Sequence, residues 1–349
     1  MLYRNALFVL LAMATLLAPA SPGLAVDVER RFETYAEFHA AVLELWVGEK
    51  PDDAIRLFRT GLELFPDRSF EITFSLINMN LSIARVEDCF ELFEFGHTRG
   101  FYFPIYTKSG PFAAHLETPR FQTIVQRNRT LIAEAEKSTQ KQLRVIAPTP
   151  IDAGSSYPLL IVLHGWSGKL DTIEKTWEPV GKGDSIIVAY LQSSQIVGMG
   201  MFGWDDLERA RRDIKETFEQ LVSEYPVDPD KTVIAGFSQG GRTAIDMAVN
   251  NVIPAAGFVA HCPGGGLTES VSLDDVQSAA GRGLRGTILT GKIDHSRDEQ
   301  EQLVAILEQG SLDYRYVTIP DLGHWYPNDF ASHLDAAIAH IWASSVPPE

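Results

Sequence analysis

Cysteine is nearly absent from this chain: Cys89 and Cys262 are the only two among 349 residues. There is no C-x-x-C and no H-E-x-x-H, so the sequence offers none of the usual zinc-ligand spacings. No metal and no organic cofactor are expected. The two cysteines fall in what the patterns below mark as different domains. They read as buried thiols that behave like small apolar residues. Positive charge is also scarce. Thirty Lys and Arg against 46 Asp and Glu leave a net charge of −16, which argues against holding nucleic acid or an anionic membrane through bulk electrostatics. Long hydrophobic runs are missing, with one exception at the start. There Arg4 precedes an apolar stretch from Ala6 to Ala18, and Pro19, Pro22 and Gly23 break it ahead of Ala25. The run is short for a membrane span, and the small residues Gly23 and Ala25 suit a signal peptidase. A signal peptide over residues 1–25 is therefore expected, with an exported (periplasmic or secreted) product that keeps no integral membrane span.

What is present is a globular composition, 45% apolar and 22% charged, which excludes a disordered or collagen-like chain. Its length suggests two domains. Residues 26–140 carry helical patterns without a strand signal, and they contain an internal repeat. The run Asp52-Asp53-Ala54-Ile55-Arg56-Leu57-Phe58-Arg59-Thr60-Gly61 aligns with Glu87-Asp88-Cys89-Phe90-Glu91-Leu92-Phe93-Glu94-Phe95-Gly96 at an offset of 35 (54 to 89). A period of this size means stacked helical hairpins. The first unit resembles a tetratricopeptide repeat, with Phe38, Ala41, Val42 and Leu45 on one helix, Ala54, Phe58 and Gly61 on the next, then Pro66. The second departs from it at Asn80 and Phe101. Two units cannot bury a solenoid core alone, so residues 111–139 are expected to cap them. Such a domain serves either as a scaffold, the reading preferred for so few repeats, or as a groove for a protein partner. Asn80-Leu81-Ser82 and Asn128-Arg129-Thr130 match the glycosylation acceptor pattern.

From residue 141 to 349 strand signals alternate with helical ones. Candidate strands cover 143–147, 158–163, 185–190, 232–236, 256–260, 286–290 and 314–319. Candidate helices cover 171–180, 204–225, 242–250, 297–309 and 330–343. Near-continuous apolar strands separated by helices predict a mostly parallel sheet covered on both faces. Working groups in such sheets sit at the carboxyl ends of the strands. Asp274 and Asp275 read as a solvated loop, and 198–203 as a flexible apolar one.

The most telling segment is Gly236-Phe237-Ser238-Gln239-Gly240-Gly241, a G-x-S-x-G between a candidate strand and a candidate helix. A sharp strand-to-helix turn lifts a serine hydroxyl above the sheet, and glycine at both flanking places avoids a Cβ in the tight turn. Ser238 is the candidate nucleophile. His324, on the turn-rich Pro320-Asp321-Leu322-Gly323-His324 after the last strand, is the candidate base, with His261 a lesser rival. Asp294, just past the strand at 286–290, is the candidate acid, with Asp321 its rival. The order Ser, acid, His is the one this architecture uses. A second oxyanion donor is expected after the strand at 158–163, where His164-Gly165-Trp166 follows. The Trp166 and Gln239 amides are the candidates, Gly165 makes room for the substrate carbonyl, and His164 reads as a loop-locking residue.

Taken together, His164-Gly165-Trp166, Gly236-Phe237-Ser238-Gln239-Gly240-Gly241, Asp294 and Gly323-His324 resemble the α/β-hydrolase superfamily, in its carboxylesterase, lysophospholipase and acyl-protein-thioesterase branch. Trp204-Asp205-Asp206 and Leu191-Gln192-Ser193-Ser194-Gln195 are similar to segments that shape the site in that branch. The resemblance covers about residues 142–345. It implies a serine esterase acting on a small-molecule or polymer ester, with Ser238, Asp294 and His324 as triad and Trp166 and Gln239 as oxyanion hole. Gly165, Trp204, Gln192 and Trp325 are substrate-contact candidates. Two alternatives stand beside it: a serine peptidase of the same fold, and a tetratricopeptide-type binding protein with a vestigial hydrolase domain.

Overall fold

The computed structural model describes residues 32–107, 110–152, 154–181 and 185–343. The signal peptide expected at 1–25 lies outside them. The chain divides into two compact units, Met1–Glu134 and Ala135–Glu349.

In the first unit α1 (Tyr35–Val47) pairs with α2 (Pro51–Leu64), α3 (Ser69–Ser82) with α4 (Val86–Thr98), and α5 (Pro119–Glu136) follows. The 35-residue repeat has a physical meaning here. Ala54 and its counterpart Cys89 are both fully buried, as are Phe58 and Phe93 to within 2%. The repeated glycine does the same work twice. A Cβ on Gly61 would stand 2.6 Å from the Phe38 ring, and one on Gly96 would stand 2.4 Å from the Phe103 ring. Each glycine lets an aromatic face lie directly on a helix backbone. Phe121 of α5 stacks on Phe90 at 5.3 Å and on Phe112 at 5.2 Å, which closes the apolar end of α4. Both glycosylation patterns sit inside helices. Asn80 is buried, with Nδ2 donating to Leu76 O. Asn128 accepts from the Phe103 amide and donates to the Phe103 carbonyl. Neither side chain is placed to carry a glycan.

The second unit is built on a seven-stranded sheet in the order β1-β3-β2-β6-β7-β8-β9. Its strands are β1 (Gln142–Ile146), β2 (Tyr157–Leu163), β3 (Ile187–Gln192), β6 (Val227–Phe237), β7 (Gly257–His261), β8 (Arg285–Gly291) and β9 (Asp313–Ile319). Only β1 runs antiparallel to its neighbour. The period of two along each strand splits its side chains between two cores. Leu159, Ile161 and Leu163 of β2 join one core with α7 (Leu207–Glu224), α8 (Gln239–Val249), α9 (Leu273–Gly281) and α10 (Arg297–Gln309). Leu160 and Val162 join the other with α6 (Leu170–Gly181) and α11 (Phe330–Trp342). This strand order, with helices on both faces and a sharp strand-to-helix turn after β6, is the α/β-hydrolase fold.

Three local expectations are corrected. Asp274 and Asp275 begin a helix, α9, because Ser272 and Asp275 form a reciprocal capping box at its start. Residues 198–203 are not a loose loop: β4 (Gln195–Gly198) and β5 (Met201–Gly203) pair as a hairpin, turned by Gly200 at φ +65°. Helix α7 begins at Leu207, three residues later than expected, because Asp206 caps it through the Arg209 amide. Among the described residues no helix is long and apolar enough to cross a membrane.

Candidate active site

Strand β6 ends at Phe237 and α8 starts at Gln239, which leaves Ser238 alone to turn the chain. It does so at φ 53°, ψ −118°, a conformation that L-residues avoid. The flanking glycines are sterically required. A Cβ on Gly236 would meet the Gly240 backbone at 2.5 Å, and one on Gly240 would meet the His164 carbonyl oxygen at 2.4 Å. Because these neighbours are backbone atoms, neither clash can be relieved by a side-chain rotation.

The three candidate triad residues, separated by up to 86 positions, converge. His324 Nε2 lies 2.8 Å from Ser238 Oγ. His324 Nδ1 lies 2.9 Å from Asp294 Oδ1. Asp294 is buried, and burial alone would raise its pKa. The hydrogen bond from His324, the His324 charge, the Ser296 amide and the Cys262 thiol together hold it well below the usual carboxylate range. Ser296 N donates to Oδ1 at 2.8 Å, while Thr290 Oγ1 and Gln300 Nε2 donate to Oδ2 at 3.1 and 3.4 Å. An ionised Asp294 fixes the proton on Nδ1 and leaves Nε2 to accept from the serine hydroxyl. Both rivals are placed elsewhere. Asp321 stands exposed on the turn ahead of His324, whose ring bonds to Asp294 instead. His261 is fully buried between the Leu289 and Trp325 carbonyls, and burial pushes its pKa down to about 4.

The loops carrying Asp294 and His324 lie against each other. Lys292 N donates to Ile319 O and Ile293 N to Leu322 O. At Gly291 a Cβ would come within 2.4 Å of the Leu322 carbonyl carbon.

On the opposite side of the serine runs the loop after β2. A Cβ on Gly165 would be 2.9 Å from Phe237 Cδ1 and 3.4 Å from Ser238 Cβ, so the backbone leading into Trp166 passes directly beside Ser238. Gln239 is the first residue of α8, where backbone amides have no partner within the helix. The loop is locked by His164: Nδ1 faces Gly165 O at 2.7 Å, and Nε2 accepts from Ser193 N at 3.1 Å. Burial pushes this imidazole down to about 4, so it stays neutral and keeps that acceptor.

Two substrate-contact candidates have other duties. Trp204 is fully buried, and its indole N–H donates to His164 O at 2.9 Å. Gln192 is 3% exposed, and its Oε1 accepts from Leu170 N at 2.9 Å. Gln192 and the Ser193 amide brace the 164–170 loop, while Ser194 and Gln195 bond to Asp213, Arg209 and Asp206, and Phe202 N of the β4–β5 hairpin donates to Gly168 O. Trp325 remains at the surface, 47% exposed.

Several side chains support the site in ways not expected from the sequence. Gln239 Oε1 accepts from Trp204 N at 2.7 Å, and Arg242 Nη2 donates to Trp204 O at 2.6 Å. One clue was available for Arg242: α8 is buried on every side, so a charge within it must be partnered. Gln300, Thr290 and His295 offered none. The His295 ring lies 4.3 Å from that of His324, with its side chain 60% exposed. The Cys262 thiol, an Asp294 oxygen and a His324 nitrogen lie within 4.8 Å of one another, a spacing that a metal ion could use. Here His324 Nδ1 and Asp294 Oδ1 are already bonded to each other, and burial pushes the thiol up, so the trio forms the hydrogen-bonded back wall of the site.

No protein-family model matches the chain. A stretch of 109 residues is 27% identical to a bifunctional acetylxylan esterase/xylanase, XynS20E, of Neocallimastix patriciarum. That stretch is 30% of this chain and spans only 15% of that protein's length. Among solved structures, an uncharacterized protein from Bacillus cereus is similar over 88% of this chain and 99% of its own, at 22% identity and a TM-score of 0.49. A Bacillus cereus carboxylesterase is similar over 60% of this chain and 99% of its own, at 17% identity and a TM-score of 0.46.

Proposed function

We propose that this chain is a serine hydrolase that cleaves a carboxylic ester or thioester through an acyl-enzyme on Ser238. The observation that carries the reading is the continuous relay from Ser238 Oγ to His324 Nε2 at 2.8 Å and from Nδ1 to Asp294 at 2.9 Å. His324 takes the hydroxyl proton as Oγ bonds to the carbonyl carbon, and Asp294 stabilises the resulting imidazolium. The carbonyl oxygen becomes an oxyanion, which the Trp166 and Gln239 amides are proposed to stabilise. The bond to the leaving oxygen or sulfur then breaks, and that atom takes the proton from Nε2. Water repeats the sequence on the acyl-enzyme and frees Ser238. The esterase half of that relative's name agrees with an ester substrate. The N-terminal sequence supports the further proposal that this chemistry takes place outside the cytoplasm.

A fluorophosphonate probe tests the core of the proposal. Wild type is expected to label and to hydrolyse p-nitrophenyl acetate, and a folded Ser238→Ala variant to do neither. Labelling that survives the substitution, or a folded wild type that never labels, would sink it. Turnover on a matched p-nitrophenyl ester and peptide anilide decides between esterase and peptidase.

A further inference from the structure

We propose that the Trp325 indole is the platform for the leaving alcohol, and that the substrate carries a ring on that side of the scissile ester. The inference rests on Ser238 acting as the nucleophile. In that chemistry His324 Nε2 delivers a proton to the departing oxygen, so the departing oxygen comes within hydrogen-bonding reach of the imidazole. Whatever is attached to it then lies over the loop that carries His324. The next side chain on that loop is Trp325.

Three observations favour a ring as occupant. First, the indole is held in place yet uncovered. It meets Phe237 at 6.1 Å and 83° and Tyr326 at 5.8 Å and 80°, both edge to face, the Phe237 ring lies 5.1 Å from that of His324, and Trp325 is still 47% exposed. Trp177 and Trp204, by contrast, are fully buried. Second, Ile293, beside Asp294 on the loop bonded to Leu322, is 64% exposed, so apolar surface stands open on both the acid loop and the base loop. Third, His295 adds another exposed ring on the His324 imidazole, 4.3 Å from it. Flat, exposed rings fixed beside a proton donor suit the face of another ring, either the C–H face of a sugar or the plane of a phenol. A short alkyl alcohol covers little of them.

The test compares wild type with Trp325→Ala on ethyl acetate, ethyl butyrate, phenyl acetate and an acetylated methyl glycoside. The ratio of kcat/KM between variant and wild type cancels the intrinsic reactivity of each ester. For at least one of the two ring alcohols that ratio is expected to fall about tenfold, chiefly through KM, and for both ethyl esters to stay within about twofold. Which ring ester is affected tells sugar from phenol, and Trp325→Phe should keep part of the effect. An equal loss on every ester, a loss that follows the acyl group, or no loss at all overturns the proposal. Equal fluorophosphonate labelling rates in wild type and variant show that the relay survives the substitution. A folded wild type that fails to label points instead to failure of the nucleophile reading.

Discussion

Two pairs of glycines, one pair in each unit, serve opposite ends. In the helical unit Gly61 and Gly96 make room for side chains, the rings of Phe38 and Phe103. In the α/β unit Gly236 and Gly240 make room for backbone, and they hold Ser238 at a positive φ that the chain would otherwise abandon. A side chain can move aside and a peptide carbonyl cannot. At the first pair the packing can yield a little. At the second the turn either forms completely or does not form.

The sharpest way to break this contrast is Gly240→Ala. With the His164 carbonyl oxygen 2.4 Å from the new Cβ, the turn has to open and Ser238 leaves the relay. Ester hydrolysis should fall by roughly a thousandfold or more, the scale seen when a triad member is lost. A variant retaining a tenth of wild-type activity would show the turn to be softer than its geometry.

Acid should come next. His164 and His261 are held neutral by burial, with pKa values of about 4 against an ordinary 6.5. Below pH 6.5 the unfolded chain binds protons at these positions that the folded chain refuses. Their contribution is therefore fully present above about pH 6.5 and is lost as pH falls toward 4, at up to roughly 3 kcal/mol for each ring. Asp294, whose pKa is depressed in the fold, loses its contribution in the same direction at still lower pH. Protonating His164 at Nε2 also removes the acceptor for the Ser193 amide, so activity should disappear together with stability. Melting curves of the full chain between pH 7.5 and 4 check this. A flat profile across that window would contradict it.

The mildest perturbation is Gly61→Ala. Overpacking against Phe38 costs about 1–3 kcal/mol, partly offset by the better helix propensity of alanine. The melting temperature should drop by a few degrees while kcat/KM on p-nitrophenyl acetate stays within about twofold. A large loss of activity would mean that the two units are energetically coupled.

Much of this contrast was visible in the sequence. The meeting of Ser238, Asp294 and His324 could be expected because each follows an apolar run that had to be a strand, and strand ends are where side chains can meet. The 35-residue repeat marked the helical unit because Gly61 and Gly96 recur in register. Arg297–Gln309 was also placed to the residue, since its charges and its apolar positions keep a helical period. Other parts escaped for reasons that are equally physical. The β4–β5 hairpin is short and glycine-rich, so its propensity is weak, and it is held by its own strand pairing and by bonds such as that from Phe202 N to Gly168 O. Helix α9 carried a signal, Ser272 three residues ahead of Asp275, but the acidic pair masked it. Trp204 and Gln192 were expected at the substrate because a large aromatic or an amide near a strand end suits a pocket equally well as a brace. Only the depth at which they lie separates the two roles.

The contact at Gly291 reaches beyond the native sequence. Since the backbone after β8 rests on the backbone after β9, with Ile293 bonded to Leu322, neither connection can lengthen or shorten without displacing its neighbour. Chimeras that exchange one of these connections with a homologous enzyme should misplace a carboxylate or an imidazole. Chimeras that transplant both as a matched pair should keep working.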